Sequence, residues 1–377
     1  MKIALAQCNP IVGDIAGNTA RMADCIDRAA AGGADLVVFG ELSVVGYPPR
    51  DLLRKERFIA DTQRAVDALA RRCTRVAALV GYVRPTPEAQ GRPLQNVAGL
   101  LQDGRLAHVH VKTLLPTYDV FDETRYFQPG PPPRCFELHG VRIGLSICED
   151  LWDAEALGRA LYGQDPIELL VGDGAQVIVN MAASPFQVGK GQLREDLFRR
   201  RARRTRLPVI YVNQVGGNDE LVFDGASCVV GPEGQVLARA ATFQEDLVVV
   251  DLDGGVQGGA APAGDMAQLS AALKLGLRDY VRKCGFSSVV LGLSGGIDSA
   301  VVAVLAADAL GPENVVGISM PSRYSSDHSQ SDADDLARRL GIRCPRVAIE
   351  PMHRAFEAAL GQALAAGNRE IADENIQ

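Results

Sequence analysis

Short apolar runs of strand length recur through the first 250 residues, at 3–7, 36–39, 77–83, 97–101, 141–147, 177–179, 209–212, 226–230 and 247–252. Bounded by polar and turn-forming residues, they read as strands. Between them, apolar positions at helical spacing predict helices over 18–31, 56–71 and 191–205. The stretch 253–264 then loses all periodicity and fills with Gly, Ala and Pro, which marks a linker. A helix over 266–284 reopens the pattern. A strand at 288–291, a helix from 300, a strand at 315–320, a helix at 331–340, a strand at 346–349 and a helix at 352–364 follow. Such a βαβ series predicts a parallel sheet. No internal repeat interrupts the order.

The chain is 377 residues long, which suggests two domains, placed here at 1–252 and 265–377 around the linker 253–264. The second span lies at the low end for a doubly wound domain. Lys and Arg total 39 against 46 Asp and Glu, a net charge of −7, which argues against nucleic acid as a partner. One basic run, with Arg at 194, 199, 200, 201, 203, 204 and 206, is interrupted by Glu195 and Asp196. Its spacing wraps a helix, and a solvated or interface face is expected. No apolar run approaches the roughly 18 residues that span a bilayer. Residues 1–7 read as a first strand and not as a signal peptide. Eight Cys show no C-x-x-C pair, so neither a zinc site nor a disulfide framework is indicated, and a cytoplasmic protein is expected.

Candidate chemistry sits where strands end. Residues 291–300, Leu-Gly-Leu-Ser-Gly-Gly-Ile-Asp-Ser-Ala, join an apolar strand to an apolar helix. Gly292, Gly295 and Gly296 open the backbone, Ser294 and Ser299 add hydroxyls, and the helix N-terminus completes an anion cradle. No Gly-Lys-Ser/Thr follows, so this is not a Walker A loop. In the first domain Glu41 directly follows the 36–39 run; a carboxylate there is partly desolvated, which suits a base. Lys112 follows an alternating strand and offers a fixed positive charge, and Cys148 ends the 141–147 run. Singly, these read as a cap, a solvated cation and a small buried hydrophobe. Together they supply a base, an electrostatic stabiliser and a nucleophile, the set that acyl transfer from an amide requires.

The 291–300 loop resembles the pyrophosphate loop of N-type ATP pyrophosphatases. The order Glu41, Lys112, Cys148 resembles the triad of the nitrilase superfamily of carbon–nitrogen hydrolases. That resemblance implies that Glu41 deprotonates the thiol, Lys112 steadies the oxyanion and Cys148 forms a thioester. Glu123 stands where many members carry an accessory carboxylate, with a surface role as the alternative. Three further stretches, 112–126, 180–190 and 213–227, are similar to the glutaminase domain of glutamine-dependent NAD synthetases, as is 316–326 to their ATP-binding domain.

Together these likenesses imply an αββα sandwich of nitrilase type followed by an incomplete, doubly wound parallel-sheet ATP pyrophosphatase domain. They imply glutamine, ATP and deamido-NAD as substrates, with glutamine's ammonia amidating an adenylated acceptor to give NAD, AMP and pyrophosphate. Tyr118, Ser184 and Lys190 would border the glutamine pocket; some relatives carry Arg where Lys190 stands. Met320 would pack on adenine, and Asp298 would associate with Mg²⁺, a helix-start carboxylate being the alternative. A homo-oligomer is expected. The chain stops at Glu374-Asn375-Ile376-Gln377, the start of a further motif, so the rest of the synthetase domain is expected to be missing. An amidotransferase with another acceptor, a stand-alone amidase with a vestigial ATP domain, and a non-enzymatic binding subunit remain the alternatives.

Overall fold

The computed structural model describes residues 1–87 and 90–364; the 374–377 motif lies outside them. The chain divides into two compact units, Met1–Ala272 and Leu273–Gln377. The first unit opens with β1 (Lys2–Gln7), α1 (Ile15–Ala31), β2 (Leu36–Val38), α2 (Glu56–Ala70), β3 (Ala77–Pro85), β4 (Leu94–Gln102) and β5 (Arg105–Val111). It continues through β6 (Phe136–Leu138), β7 (Val141–Ile147), α3 (Pro166–Gly172), β8 (Val177–Ala182), α4 (Lys190–Thr205) and β9 (Val209–Asn213). A hairpin of β10 (Val215–Asn218) and β11 (Leu221–Asp224) follows, then β12 (Cys228–Val230), β13 (Val236–Arg239) and β14 (Asp246–Asp251).

Two six-stranded mixed sheets result, ordered β14-β1-β2-β3-β4-β5 and β13-β12-β9-β8-β7-β6. Strand periodicity explains why they stack. On β1, Ile3 and Leu5 join a core shared with Leu145, Ile147 and Val179 of the second sheet, while Ala4 and Ala6 join a separate core with Met22 and Ile26 of α1 and Val66 of α2. Each β1 side chain from Ile3 to Ala6 is therefore buried, on one face by sheet and on the other by helix. Ile167 and Leu170 of α3 and Leu197 and Phe198 of α4 cover the outer face of the second sheet. The unit is an αββα sandwich.

The basic run on α4 departs from the expected solvated face. Arg194 and Arg201 are buried, Arg194 against Asp224 and Arg201 against Asp165 at 2.6 Å. Their acidic partners lie far along the chain, so no local pattern announces them.

The helix α5 (Asp265–Lys283) crosses the boundary between the units. The second unit then contains β15 (Val289–Gly292), α6 (Ile297–Leu310), β16 (Val315–Ile318), α7 (Asp327–Leu340) and α8 (Glu350–Leu364). The strands β15 and β16 pair in parallel, as the βαβ pattern predicts. Leu293, Ala303, Ala307, Val315, Ala333 and Ala337 form the core beneath them. The strand expected at 346–349 is not one. That segment makes one isolated parallel bridge, Ser319 with Arg346, and Val316 bridges Arg343 just before it. Pro345 has no N–H to donate there, which breaks a continuous ladder.

The paired arginines on α4 give a direct test. Replacing Arg194 by Met strands the Asp224 carboxylate in the core and is expected to cost about 3–5 kcal/mol in chemical denaturation. Arg203→Met on the exposed face of the same helix should stay within about 0.5 kcal/mol.

Candidate active site

Glu41, Lys112 and Glu123 meet in one buried cluster, although 71 residues separate the first two. The Lys112 ammonium, at the end of β5, donates to Glu41 Oε1 at 2.6 Å and to Glu123 Oε1 at 2.8 Å. Lys112 and Glu41 are each 1% exposed. Asn96 of β4 donates to the same Glu41 oxygen at 2.7 Å, and the Ala183 N–H, just past β8, reaches the other at 3.2 Å. Glu41 is thereby tied to both sheets. The Tyr47 hydroxyl donates to Glu123 Oε1 at 2.9 Å, and Glu123 is buried, not on the surface.

Burial alone would lower the Lys112 pKa, but the two carboxylates reverse this and hold the ammonium charged. Burial pushes the Glu123 carboxyl up to about 7, against the pull of Lys112 and with repulsion from Glu41 added. Two carboxylates around one ammonium cannot both keep their charge cheaply in a dry site.

Cys148 follows β7 with φ of +45°, a left-handed conformation that costs a non-glycine residue about 1–3 kcal/mol. The sharp turn places the residue at the rim of a cavity of about 350 Å³, whose lining includes Tyr118, Glu149, Trp152, Ser184 and Lys190. Burial first, then the Glu41 charge, pushes the Cys148 thiol well above its usual range; Lys112 opposes them and loses. The thiol is thus favoured over the thiolate. Tyr118 donates to Glu149 Oε1 at 2.9 Å, and so does Tyr162. Asn213 holds the Ser184 backbone, accepting from its N–H at 2.8 Å and donating to its carbonyl at 3.2 Å. Lys190 opens α4 with its ammonium 5.8 Å from the Trp152 ring centroid. Burial, then the nearby Arg194 charge, lowers its pKa. The sequence reading missed Asn96, Glu149, Asp150 and Tyr162. A buried Asn inside an apolar strand was the available signal for Asn96.

The glycine-rich loop of the second unit leaves β15 and ends on the N-terminus of α6. Its N–H groups are met by hydroxyls: Ser294 N to Ser299 at 3.2 Å, Gly295 N to Ser329 at 3.0 Å and Gly296 N to Ser294 at 3.1 Å. A Cβ on Gly292 would lie 3.0 Å from Met320 Cε, so Met320 sits against the loop. Asp298 stands exposed in the first turn of α6. No group of three or more His, Cys, Asp or Glu among the described residues is placed to hold a metal ion. A lone carboxylate fits Mg²⁺ only as a partner to phosphate oxygens.

The elevated Glu123 pKa has a thermodynamic sign. A carboxyl that titrates at 4.5 when unfolded and about 7 when folded stabilises the fold below 4.5 and loses that contribution as pH rises through about 7. Melting temperatures compared from pH 4.5 to 8 should therefore fall more steeply for the wild type than for Glu123→Gln. Parallel curves would show that Glu123 does not titrate in this range.

Comparison with known proteins places the chain in a family. The carbon–nitrogen hydrolase family profile matches residues 2–260, and the NAD synthase profile matches residues 269–377. The chain is 45% identical to a glutamine-dependent NAD(+) synthetase of Synechocystis sp., covering 100% of this chain and 69% of that protein. It is 42% identical to the enzyme of the same name from Rhodobacter capsulatus, covering 67% of it. Among solved structures it resembles the glutamine-dependent NAD+ synthetase of Acinetobacter baumannii in complex with ADP, with TM-score 0.92, 36% identity and coverage of 100% of this chain and 70% of that one. An amidase from Nesterenkonia sp. aligns with 68% of this chain at TM-score 0.57 and 26% identity. The chain belongs to the glutamine-dependent NAD(+) synthetase family.

Proposed function

We propose that residues 1–252 hydrolyse glutamine at Cys148 and that residues 265–377, past the linker 253–264, belong to an ATP-dependent domain using the released ammonia to amidate deamido-NAD. The observation that carries the reading is the Lys112 ammonium held at 2.6 and 2.8 Å between Glu41 and Glu123, buried in the domain that presents Cys148 to the cavity.

The chemistry follows from the charges. Because the thiol rests neutral, Glu41 takes its proton as sulfur attacks the amide carbon, and Lys112 supplies positive charge toward the developing oxyanion. The proton held by Glu41 passes to the departing nitrogen, which leaves as ammonia and gives a thioester on Cys148. Glu41 then deprotonates a water that attacks the thioester, returning glutamate and the thiol. Lys190 is the cation for the substrate α-carboxylate. The Tyr118 and Ser184 hydroxyls and the Glu149 carboxylate complete the polar rim around its α-ammonium.

In the second unit, Gly292, Gly295, Gly296, Ser294 and Ser299 cradle the phosphates of ATP, and Met320 lies against adenine. The ADP bound to the Acinetobacter baumannii relative supports an adenine nucleotide here. Asp298 would hold Mg²⁺ together with ATP phosphate oxygens, where the cation offsets their charge. No described helix is long and apolar enough to cross a membrane. The described cysteines are all free thiols, which supports a cytoplasmic setting.

Cys148→Ala should abolish glutamine hydrolysis, and an alkylating glutamine analogue should label Cys148 alone among the eight Cys. Lys112→Met should lose roughly 10²–10³-fold in turnover. Labelling spread over several Cys, or near-normal turnover in either variant, would refute the assignment.

For the nucleotide site, Gly296→Val is the sharper probe. A Cβ there meets only Ser294 Oγ, at 3.3 Å, so the free loop can accommodate it while a phosphate cannot share the space. Calorimetry should show ATP affinity reduced at least tenfold, about 1.4 kcal/mol, with glutamine hydrolysis retained. Equal affinity in the two proteins would remove the loop from the ATP site.

A further inference from the structure

Asp150 lies two residues beyond Cys148 and is 0% exposed. Its carboxylate accepts from the Ile147 N–H at 3.0 Å, which alone would suffice to cap the short 3-10 turn Cys148–Leu151. Two further bonds exceed that local need. The Leu114 N–H donates at 2.7 Å and the Thr113 N–H at 3.1 Å. His110 adds its imidazole, with Nε2 3.8 Å from Asp150 Oδ2.

The partners define what the carboxylate joins. Thr113 and Leu114 directly follow Lys112 at the end of β5, the edge of the first sheet. Ile147 directly precedes Cys148 at the end of β7, in the second sheet. No strand pairing links β5 to β7. One side chain therefore bonds the backbone on the C-terminal side of Lys112 to the backbone on the N-terminal side of Cys148. Both reactive side chains hang from backbone that this single carboxylate fixes.

We infer that Asp150 is a positioning residue that sets the Lys112 ammonium against the Cys148 sulfur for the oxyanion step. The inference rests on the glutaminase reading above. A mere cap would act on the turn and leave Lys112 untouched. A bridge acts on transition-state stabilisation while leaving the contacts of Tyr118, Ser184 and Lys190 in the substrate cavity in place, because none of those contacts is made with Asp150.

Asp150→Asn keeps the shape but turns one acceptor into an N–H₂ that faces a backbone donor. In the 377-residue chain, glutamine hydrolysis should lose on the order of 10²-fold in kcat, the scale of a roughly 1 Å misplacement, while KM for glutamine stays within about threefold. A thermal melt establishes that the variant is folded. A folded variant with kcat near that of the wild type, or with the loss confined to KM, overturns the inference. If Asp150→Asn does not fold, Asp150→Ser, which keeps one acceptor, is read in the same way. Failure of both to fold also overturns it, because the carboxylate then serves the fold and not the spacing. Cys148→Ala and Lys112→Met run in parallel separate the two claims. Hydrolysis surviving in them would bring down the glutaminase reading, whereas their inactivity beside a normal Asp150→Asn brings down only the bridge.

Discussion

A lysine ammonium with almost no solvent access is the constraint around which the first unit is organised. Removing such a charge from water costs several kcal/mol, and attraction to a counter-ion offsets this only with short, well-directed contacts. Lys112 has two, to Glu41 and Glu123, and each carboxylate is held by further donors from other segments. The cluster assembles only when β2, β4, β5 and the short 3-10 turn Glu123–Arg125 are all in place. The sandwich supplies the dry walls that make these contacts strong, and the contacts in turn admit only one arrangement of the walls.

The same cluster fixes the protonation logic. Burial, with repulsion from Glu41 added, lifts Glu123 toward neutrality against the pull of Lys112, while Glu41 keeps the short bond to the ammonium and a backbone N–H. The sulfur nearby meets burial and a carboxylate before it meets the ammonium, so it keeps its proton. In the proposed glutaminase step, activation then coincides with attack, the proton moving to Glu41 as the negative charge moves from sulfur to the substrate oxygen. An imidazole would be a different solution. The buried His110 instead lies against Asp150, its Nε2 3.8 Å from Oδ2.

Much of this was legible because the first unit buries both faces of its central strands. The continuous apolar run 36–39 and the alternating run 141–147 announced strands, and reactive residue types at their ends announced a site. What escaped is what needs tertiary partners. Phe136–Leu138 and Val236–Arg239 are too short to stand out, and Gly216 and Gly217 disguise one arm of the β10–β11 hairpin. Arg194 and Arg201 looked like surface charge because Asp224 and Asp165 are 30 and 36 residues away. Glu149 and Asp150 stood inside the Cys148 motif, yet their roles depend on Tyr118 and on the backbone after Lys112. Adjacency in sequence said nothing about either.

The two candidate sites solve opposite problems, and their hydrogen bonding shows it. Around Cys148 the ionisable groups Glu41, Lys112 and Glu123 are buried and paired, since bulk water would weaken the field of the ammonium. At the glycine-rich loop the backbone donors are exposed and occupied by neutral serine hydroxyls. Those are weak acceptors that an anionic phosphate oxygen can displace, because a charge-assisted bond is roughly twice as strong as a neutral one. A displaced hydroxyl can rotate and donate to the same phosphate. The loop is thus kept in shape by contacts that the proposed nucleotide would replace with stronger ones, while the buried cluster around Lys112 holds its charges against exchange with water.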